Sequence, residues 1–163
     1  MFDALHSRRD LIVHSTEPYN AGPRLDRLRA ASITAQRDFY VRSHGNIPHL
    51  EEATHRLIVD GLVETPFDLA VGGLKTRFAE HAVMAVMQCA ANRRADMQSV
   101  KPTSGDPWVP DAIGNAVWTG VSLCDGLHAA NTGTDAALHV AFDPATMWRC
   151  PEKAASNTAS RLR

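Results

Sequence analysis

A single cysteine followed at once by two arginines is the feature of this sequence with the clearest chemistry. Cys89 ends an apolar segment, and Arg93 and Arg94 follow it in the same short run. A thiol reacts and binds metals as the thiolate, and guanidinium groups, which do not lose their proton, stabilise that thiolate. A cysteine in an apolar setting is more often an inert core residue, but the arginine pair favours the reactive alternative. Residues 88–94 therefore indicate a metal-ligand or redox site.

Composition limits the classes of protein to which this chain can belong. Its 163 residues, 44% of them hydrophobic, suffice for one domain with one core. The formal net charge of −1 provides no overall basic field, so we expect neither nucleic acid nor an anionic membrane as a partner. No apolar stretch has the length of a signal peptide or a membrane span, and we therefore expect a cytoplasmic protein. Three cysteines at distant positions argue against a disulfide scaffold.

Local patterning predicts a mixed, strand-rich α+β fold. We divide the chain into an extended N-terminal arm at 1–23, a central domain at 24–143 and a divergent, poorly ordered tail at 144–163. Within this division the predicted helices are 23–31, 73–78 and 122–130, and the predicted strands are 38–42, 55–59, 67–71, 81–88 and 137–142.

Three of these segments must position the cysteine and its neighbours. The run 81–88 is short and apolar at nearly every position, which is typical of a strand buried on both faces, and Cys89 ends it. The strand at 38–42 delivers Arg42 and His44 to its rim. Residues 95–111 form a long polar loop, and loops of that length are usually functional. A turn-like stretch follows at 112–120.

Four segments resemble, in order, the motifs of the sulfite oxidase family of molybdenum enzymes. Residues 88–94 look like the cysteine motif of that family, and residues 39–45 resemble its pterin-contacting motif. Residues 105–108 and 112–121 resemble its next two signatures. The similarity extends from about residue 11 to residue 142, which implies a sulfite-oxidase-type molybdopterin-binding fold.

The resemblance implies a molybdenum–pyranopterin cofactor (molybdopterin) and the two-electron oxidation of sulfite to sulfate. Cys89 would be the metal ligand, since a soft thiolate suits such a centre. The residues that would bind the cofactor are Tyr40, Val41, Arg42, Ser43, His44 and Cys89. The residues that would carry catalytic roles are Arg42, Cys89, Arg94 and Trp108. These four are expected to converge on one cleft, where the guanidinium of Arg94 would hold the oxyanion by paired hydrogen bonds.

The same resemblance implies partners and limits. The substrate would be a small oxyanion, and electrons would leave to an external acceptor such as oxygen or a cytochrome, because no heme or flavin module is expected in the chain. Members of the family form homodimers through a domain that has no counterpart in this sequence. The fold is accordingly expected to be truncated on its C-terminal side. The alternatives are a non-catalytic domain that binds the cofactor weakly or not at all, and a family member that acts on another oxyanion such as nitrate.

Several residues carry a simpler structural interpretation. Trp118, and as an alternative Trp108, would anchor the core beneath the long loop. Cys124 is predicted to be a buried helix residue. Position 91 is alanine where the motif of the family usually has glycine, and a positive φ there would cost on the order of 1 kcal/mol and would tilt Cys89.

Overall fold

Helices and short strands alternate in the computed structural model, which describes residues 10–45, 47–133 and 139–144 and the backbone of 159–162. The described residues divide into two units. The first unit holds the described residues up to Ile47 together with Val83–Trp118, and the second holds Pro48–Ala82 together with those from Thr119 onward. Within the described ranges, no helix has the length and apolarity needed to cross a membrane.

The first unit begins with a hairpin where the sequence predicts an extended arm. β1 (Leu11–Thr16) pairs antiparallel with β2 (Tyr19–Pro23), and the register is irregular between Val13 and Ser15. All five residues of β2 are buried, and part of that strand forms a core cluster with Leu11. The prediction of an extended segment that packs late, if at all, is therefore wrong for residues 11–23, because strand pairing and apolar burial fix the hairpin.

The segment that follows the hairpin contains less strand than predicted. The short helix expected at 23–31 is confirmed as α1 (Leu25–Arg29). The predicted strand at 38–42 is wrong, because its start is the end of a 3₁₀ turn (Gln36–Asp38) and only Val41 pairs. Val41 and Ala21 exchange both backbone hydrogen bonds, at N···O distances of 2.8 and 3.0 Å. This single bridge places Arg42 beside the buried strand β2.

The strand that leads to Cys89 is present, but it is not buried. β5 (Glu80–Gln88) pairs with β6 (Ile113–Val121) in a two-stranded sheet. Every residue of β5 is exposed, with Met84 at 63% and Val86 at 61%, so the expected burial on both faces is wrong. An unbroken apolar run specifies a strand without specifying what covers it.

β6 occupies the stretch that the sequence predicts to be turn-like. Its glycines led to that prediction, but Gly114 lies in the strand, where it allows the backbone to pass close to a neighbouring ring. A Cβ atom at position 114 would lie 2.5 Å from the ring of Phe39, so the strand can pass the ring only as glycine. The same ring packs edge-on against Trp118 at a centroid distance of 5.6 Å.

The second unit is built on a four-stranded sheet with the order β4-β3-β8-β7. β3 (Arg56–Val59) and β4 (Phe67–Ala70) are antiparallel neighbours and confirm two predicted strands. β8 (Ala159–Leu162) pairs parallel with β3 and antiparallel with β7 (Phe142–Asp143). β8 lies in the segment that the sequence predicts to be a poorly ordered tail, and its backbone completes the sheet. Residues 145–158 lie outside the described part, and their order stays a prediction.

Two helices of the second unit agree with the sequence in position. α2 (Val71–Arg77) and α4 (Leu123–Ala129) match the helices predicted at 73–78 and 122–130. The final strand was predicted at 137–142, but residues 139–141 are not strand, and 137–138 lie outside the described residues. The core of this unit centres on Val59 and Ala130, which are 1% and 0% exposed.

Candidate functional site

Cys89 begins a tight turn immediately after β5. Its backbone N–H donates to the carbonyl of Ala112 at 2.9 Å, and its side chain is half-buried. The backbone N–H of Ala91 lies 3.4 Å from the sulfur and donates to it. This hydrogen bond orients the sulfur, which is the atom through which a cysteine binds a metal.

Backbone and amide hydrogen bonds hold this turn against the loop at 108–112. The amide oxygen of Asn92 accepts from the N–H of Ala112 at 3.1 Å, and the N–H of Ala95 donates to the carbonyl of Trp108 at 2.9 Å. Arg93 has a φ of +66°, and α3, a single helical turn (Arg94–Met97), begins directly after it. The left-handed residue is Arg93 and not Ala91, so alanine at position 91 imposes no backbone strain on the cysteine.

The side chain of Arg42 contacts strand β2 of the hairpin and lies near the loop that contains Asp106. Its side chain is 15% exposed. Nη1 donates to the side-chain oxygen of Asn20 at 3.2 Å and to the carbonyl of Ser43, and it lies 3.8 Å from a carboxylate oxygen of Asp106. Nη2 lies 3.2 Å from Nδ1 of His44. The Nε atom is buried and has no hydrogen-bond partner among the described residues.

Arg42 and Cys89 line one cavity of about 1010 Å³ in the first unit. Tyr40 and Val41 line it as well, so four of the predicted site residues share this space. Apolar side chains form most of the remaining wall: Ile33, Phe39, Met87, Val117 and Trp118. A cavity of this size with a thiol and a guanidinium in its wall can hold a large, partly apolar anion.

Trp108 lies beneath this wall and is fully buried, at 0% exposed. It packs in one cluster with Ala91 and Ala112, against which Cys89 and Tyr40 also pack. Its indole Nε1 has no hydrogen-bond partner among the described residues. Trp108 therefore supports the cysteine turn from below, and its predicted role in a substrate pocket stays a prediction.

Arg94, Ser43 and His44 are not among the residues that line the cavity. Nη1 of Arg94 donates to the carbonyl of Ser104 at 2.9 Å, directly beside Gly105, whose φ is +86°. The N–H of Ser43 donates to Asn20, and His44 is exposed. Of the four residues expected to share one cleft, Arg42 and Cys89 line one cavity. Trp108 is buried behind it, and the side chain of Arg94 binds the carbonyl of Ser104 instead.

Two buried contacts near the site were missed from the sequence. Nε2 of His14 lies 2.6 Å from Oδ2 of Asp111, and the imidazole packs edge-on against Trp108 at 4.7 Å. Burial raises the pKa of Asp111, although the hydrogen bond from His14 opposes that shift. The second contact joins Asn20 to Asp106. Each pair is separated by more than 80 positions in sequence, so no local spacing signals it.

The electrostatics of Tyr40 connect it to the cysteine. Burial raises the pKa of the Tyr40 phenol, and the negative charge of the Cys89 thiolate raises it further. The phenol therefore stays protonated and able to donate a hydrogen bond beside the thiolate.

Two structural interpretations from the sequence do not hold. Trp118 is 37% exposed, so it is not a core anchor, and its indole N–H donates to the carbonyl of Ala85 at 3.0 Å. Cys124 is exposed on α4, with its sulfur 3.8 Å from Nε2 of His128. Within the described ranges, no group of three or more His, Cys, Asp or Glu side chains could hold a metal ion.

Comparisons with known proteins were made for the whole chain. The model of the oxidoreductase molybdopterin binding domain family matches residues 44–161. Sulfite oxidase from Gallus gallus is 40% identical over 117 residues, which are 72% of this chain and 26% of that protein. Nitrate reductase [NAD(P)H] from Hordeum vulgare is 36% identical over 147 residues, which are 88% of this chain and 16% of that protein.

A solved structure supports the same relationship at the level of the fold. The sulfane dehydrogenase SoxCD from Paracoccus pantotrophus superposes with a TM-score of 0.62 at 23% identity, over 82% of this chain and 34% of that chain. The chain thus spans about a quarter of the chicken sulfite oxidase and a third of the superposed structure. The match to the family model and the relatives confirm the resemblance that the four motifs predict: the chain belongs to the oxidoreductase molybdopterin-binding domain family.

Proposed function

We propose that this chain binds a molybdenum–pyranopterin cofactor through Cys89 and serves the two-electron oxidation of sulfite to sulfate. The observation that carries the proposal is the cavity that Cys89 and Arg42 share, in a chain of this family. Within one cavity, a thiolate would provide a soft metal ligand and a guanidinium would provide an anion-binding group.

The residues around the cavity fit such a cofactor. Buried donors are normally satisfied, so an unpartnered one indicates a missing acceptor. Nε of Arg42 is such a donor, and it belongs to a residue that lines the cavity. A second unpartnered donor, Nε1 of Trp108, lies in the cluster beneath the cysteine. Because Nε is shielded from solvent, an anionic, oxygen-rich ligand in the cavity would supply its acceptor only after the guanidinium turns toward it.

Each residue has a distinct task in this proposal. The bound cofactor supplies the two-electron change, while the protein binds and orients. Cys89, whose sulfur accepts from the N–H of Ala91, would ligate the metal. Arg42 would neutralise and orient an anion, and the protonated phenol of Tyr40 would contact the pterin. Arg94 would bind the substrate oxyanion once its guanidinium leaves the carbonyl of Ser104.

Two alternatives each have an observation in their favour. The 36% identity to a nitrate reductase favours nitrate as the oxyanion. The exposed apolar side chains of β5 favour a domain that holds the cofactor weakly and does not turn over, since an uncovered apolar patch is unusual for a self-sufficient domain.

Metal and pterin content separates these functions. The chain is purified from a host that makes the cofactor, and molybdenum is measured by mass spectrometry and pterin by fluorescence after oxidation. We expect about one of each per chain for the wild type and for Cys124→Ser, which removes an exposed thiol that does not line the cavity. We expect less molybdenum per chain in Cys89→Ser than in the wild type. A wild-type ratio near zero would contradict cofactor binding.

Turnover then distinguishes the substrates. Loaded wild-type protein is assayed with sulfite and an artificial electron acceptor, and in a second assay with nitrate and an artificial donor. Reduction of the acceptor with sulfite supports the proposal. Activity with nitrate alone would replace sulfite with nitrate, and a loaded chain without either activity would leave the non-catalytic alternative.

A further inference from the structure

Asn20 occupies an unusual place for a polar side chain. It is 0% exposed, on the buried strand β2, and its amide meets two other segments of the first unit. The Nδ2 group donates to the carbonyl of Pro18 at 3.1 Å and to a carboxylate oxygen of Asp106 at 3.2 Å. A buried amide costs stability unless it is paired, so the contacts that satisfy this one indicate what it is for.

The other end of the amide faces only donors. Oδ1 accepts from the backbone N–H of Ser43 at 2.7 Å and from Nη1 of Arg42 at 3.2 Å. Rotating the amide by half a turn would place NH₂ against two donors and oxygen against two acceptors. The amide therefore has one satisfying orientation, and that orientation presents an acceptor to Arg42.

Asn20 holds one nitrogen of the Arg42 guanidinium, which also donates to the carbonyl of Ser43, while Nη2 lies 3.2 Å from Nδ1 of His44. Nη1 is engaged by Asn20, while Nε is buried without a hydrogen-bond partner among the described residues. A guanidinium that is already held in one orientation loses less rotational freedom when it binds an anion. Arg42 also lines the cavity with Cys89.

The chemistry of an amide, as opposed to a carboxylate, suits this task. A carboxylate at position 20 would also accept from Arg42, but it would cancel the positive charge that attracts an anion and would lie 3.2 Å from the carboxylate of Asp106. The neutral amide holds the guanidinium and donates to Asp106 without adding a second negative charge to that of Asp106, whose carboxylate lies 3.8 Å from Nη1.

We propose that Asn20 is a positioning residue that orients the guanidinium of Arg42 for an anionic ligand in the cavity shared with Cys89. The identity of that ligand as the pterin cofactor rests on the proposed function, whereas the orientation of Arg42 does not. Asn20 touches Arg42 and Ser43 and acts through them.

The orientation is tested in the cofactor-free chain by nuclear magnetic resonance of the arginine side chain. The Arg42 signals are assigned by their loss in Arg42→Lys. We expect separate, slowly exchanging Nη1 and Nη2 signals in the wild type and a single averaged signal in Asn20→Ala. The control is His14→Ala, which breaks the contact with Asp111 on the same hairpin without touching a partner of Arg42. It should lose stability and keep the separate signals.

The consequence for the ligand is tested in protein from a cofactor-making host. We expect pterin content, at limiting cofactor, to fall about tenfold in Asn20→Ala and to stay near the wild-type value in His14→Ala. Asn20→Asp keeps an acceptor for Arg42, and it is the variant to measure if Asn20→Ala does not fold. It should retain the separate Nη signals but bind less pterin, because its charge offsets that of Arg42.

The outcomes distinguish this inference from the proposed function. Separate Nη signals in Asn20→Ala, or averaged signals in Asn20→Asp, would overturn the positioning role whether or not the chain binds pterin. A wild type without pterin, but with Arg42 ordered through Asn20, would contradict the proposed function alone. If the Nη signals of Arg42 were averaged in His14→Ala as they are in Asn20→Ala, Asn20 would have only a structural role and the inference would be overturned.

Discussion

Nε2 of His14 lies 2.6 Å from Oδ2 of Asp111, across 97 positions of sequence. This contact joins strand β1 to the loop that follows Trp108, and both side chains are largely shielded from solvent, at 14% and 1% exposed. Asp111 also fills the space beside Gly22 on the second strand of the hairpin. The pair of His14 and Asp111 therefore joins the hairpin to the loop beneath Cys89, in addition to the contact between Asn20 and Asp106.

Removing the imidazole should destabilise the fold. His14→Ala leaves the Asp111 carboxylate buried without its partner, and such a loss costs about 1–3 kcal/mol. Urea unfolding followed by circular dichroism measures the change. The control is Arg24→Ala, which breaks an exposed pair with Asp26 and should change the free energy of unfolding by less than about 1 kcal/mol. Equal effects of the two substitutions would mean that the buried pair adds nothing.

The same carboxylate should make stability depend on pH. Burial raises the pKa of Asp111 above its ordinary value of 3.8, so the folded chain holds this proton more tightly than the unfolded chain. The contribution of Asp111 to the free energy of unfolding therefore falls as pH rises from 3.8 through the raised pKa. Asp111→Asn removes that titration.

The measurement is the free energy of unfolding of both chains across this pH interval. We expect the value for Asp111→Asn minus the value for the wild type to increase with pH. A difference that is constant, or that decreases as pH rises, would show that burial does not raise the pKa of this carboxyl.

Gly22 should tolerate no side chain. A Cβ atom there would lie 2.1 Å from Oδ2 of Asp111, closer than any real contact, so Gly22→Ala must displace the buried pair. We expect a loss of about 1–3 kcal/mol, as for other overpacked sites. Gly72→Ala is the matched control, because its Cβ would meet nothing within 4 Å in helix α2, and it should stabilise the chain by up to about 1 kcal/mol. The stability of both variants is measured by thermal unfolding. An unchanged unfolding temperature in Gly22→Ala would contradict the close approach of Asp111 to Gly22.

Tyr40 should report the charge of Cys89. The pKa of its phenol is raised first by burial and then by the thiolate, so Cys89→Ser should move that pKa toward its ordinary value of 10.0 without reaching it. The chain has two tyrosines, and a Tyr19→Phe background leaves Tyr40 as the one that absorbs as tyrosinate in an ultraviolet pH titration. Cys124→Ser should leave the titration unchanged. An identical titration with and without Cys89 would mean that the two groups do not interact.

The sequence predicted the elements that depend on local pattern and missed those that depend on distant partners. The helices α1, α2 and α4 and the strands β3, β4 and β5 follow from periodicity and turn residues. The apolar run of β5 suggested burial, but its side chains are exposed because apolarity along a strand does not specify a covering element. β8 completes a sheet by pairing with β3, which lies about a hundred residues earlier in the chain. Local sequence patterns do not predict a pairing over that distance.

The candidate site divides in the same way. Cys89 and Arg42 could be identified from motif resemblance, and both line one cavity of the structure. The residues that hold them, Asn20 and Asp111, carry no pattern of their own, since a buried amide or carboxylate is defined by contacts with residues far along the chain. Only folding brings Asn20 to Arg42 and Asp111 to His14.

Coordination of molybdenum by Cys89 is tested most directly by X-ray absorption at the molybdenum K-edge of the loaded chain. The fine structure counts the sulfur atoms bound to the metal. We predict the same count in the wild type and in Cys124→Ser, and one sulfur fewer in Cys89→Ser, with an oxygen in its place. An unchanged sulfur count in Cys89→Ser would contradict the assignment of Cys89 as the protein ligand.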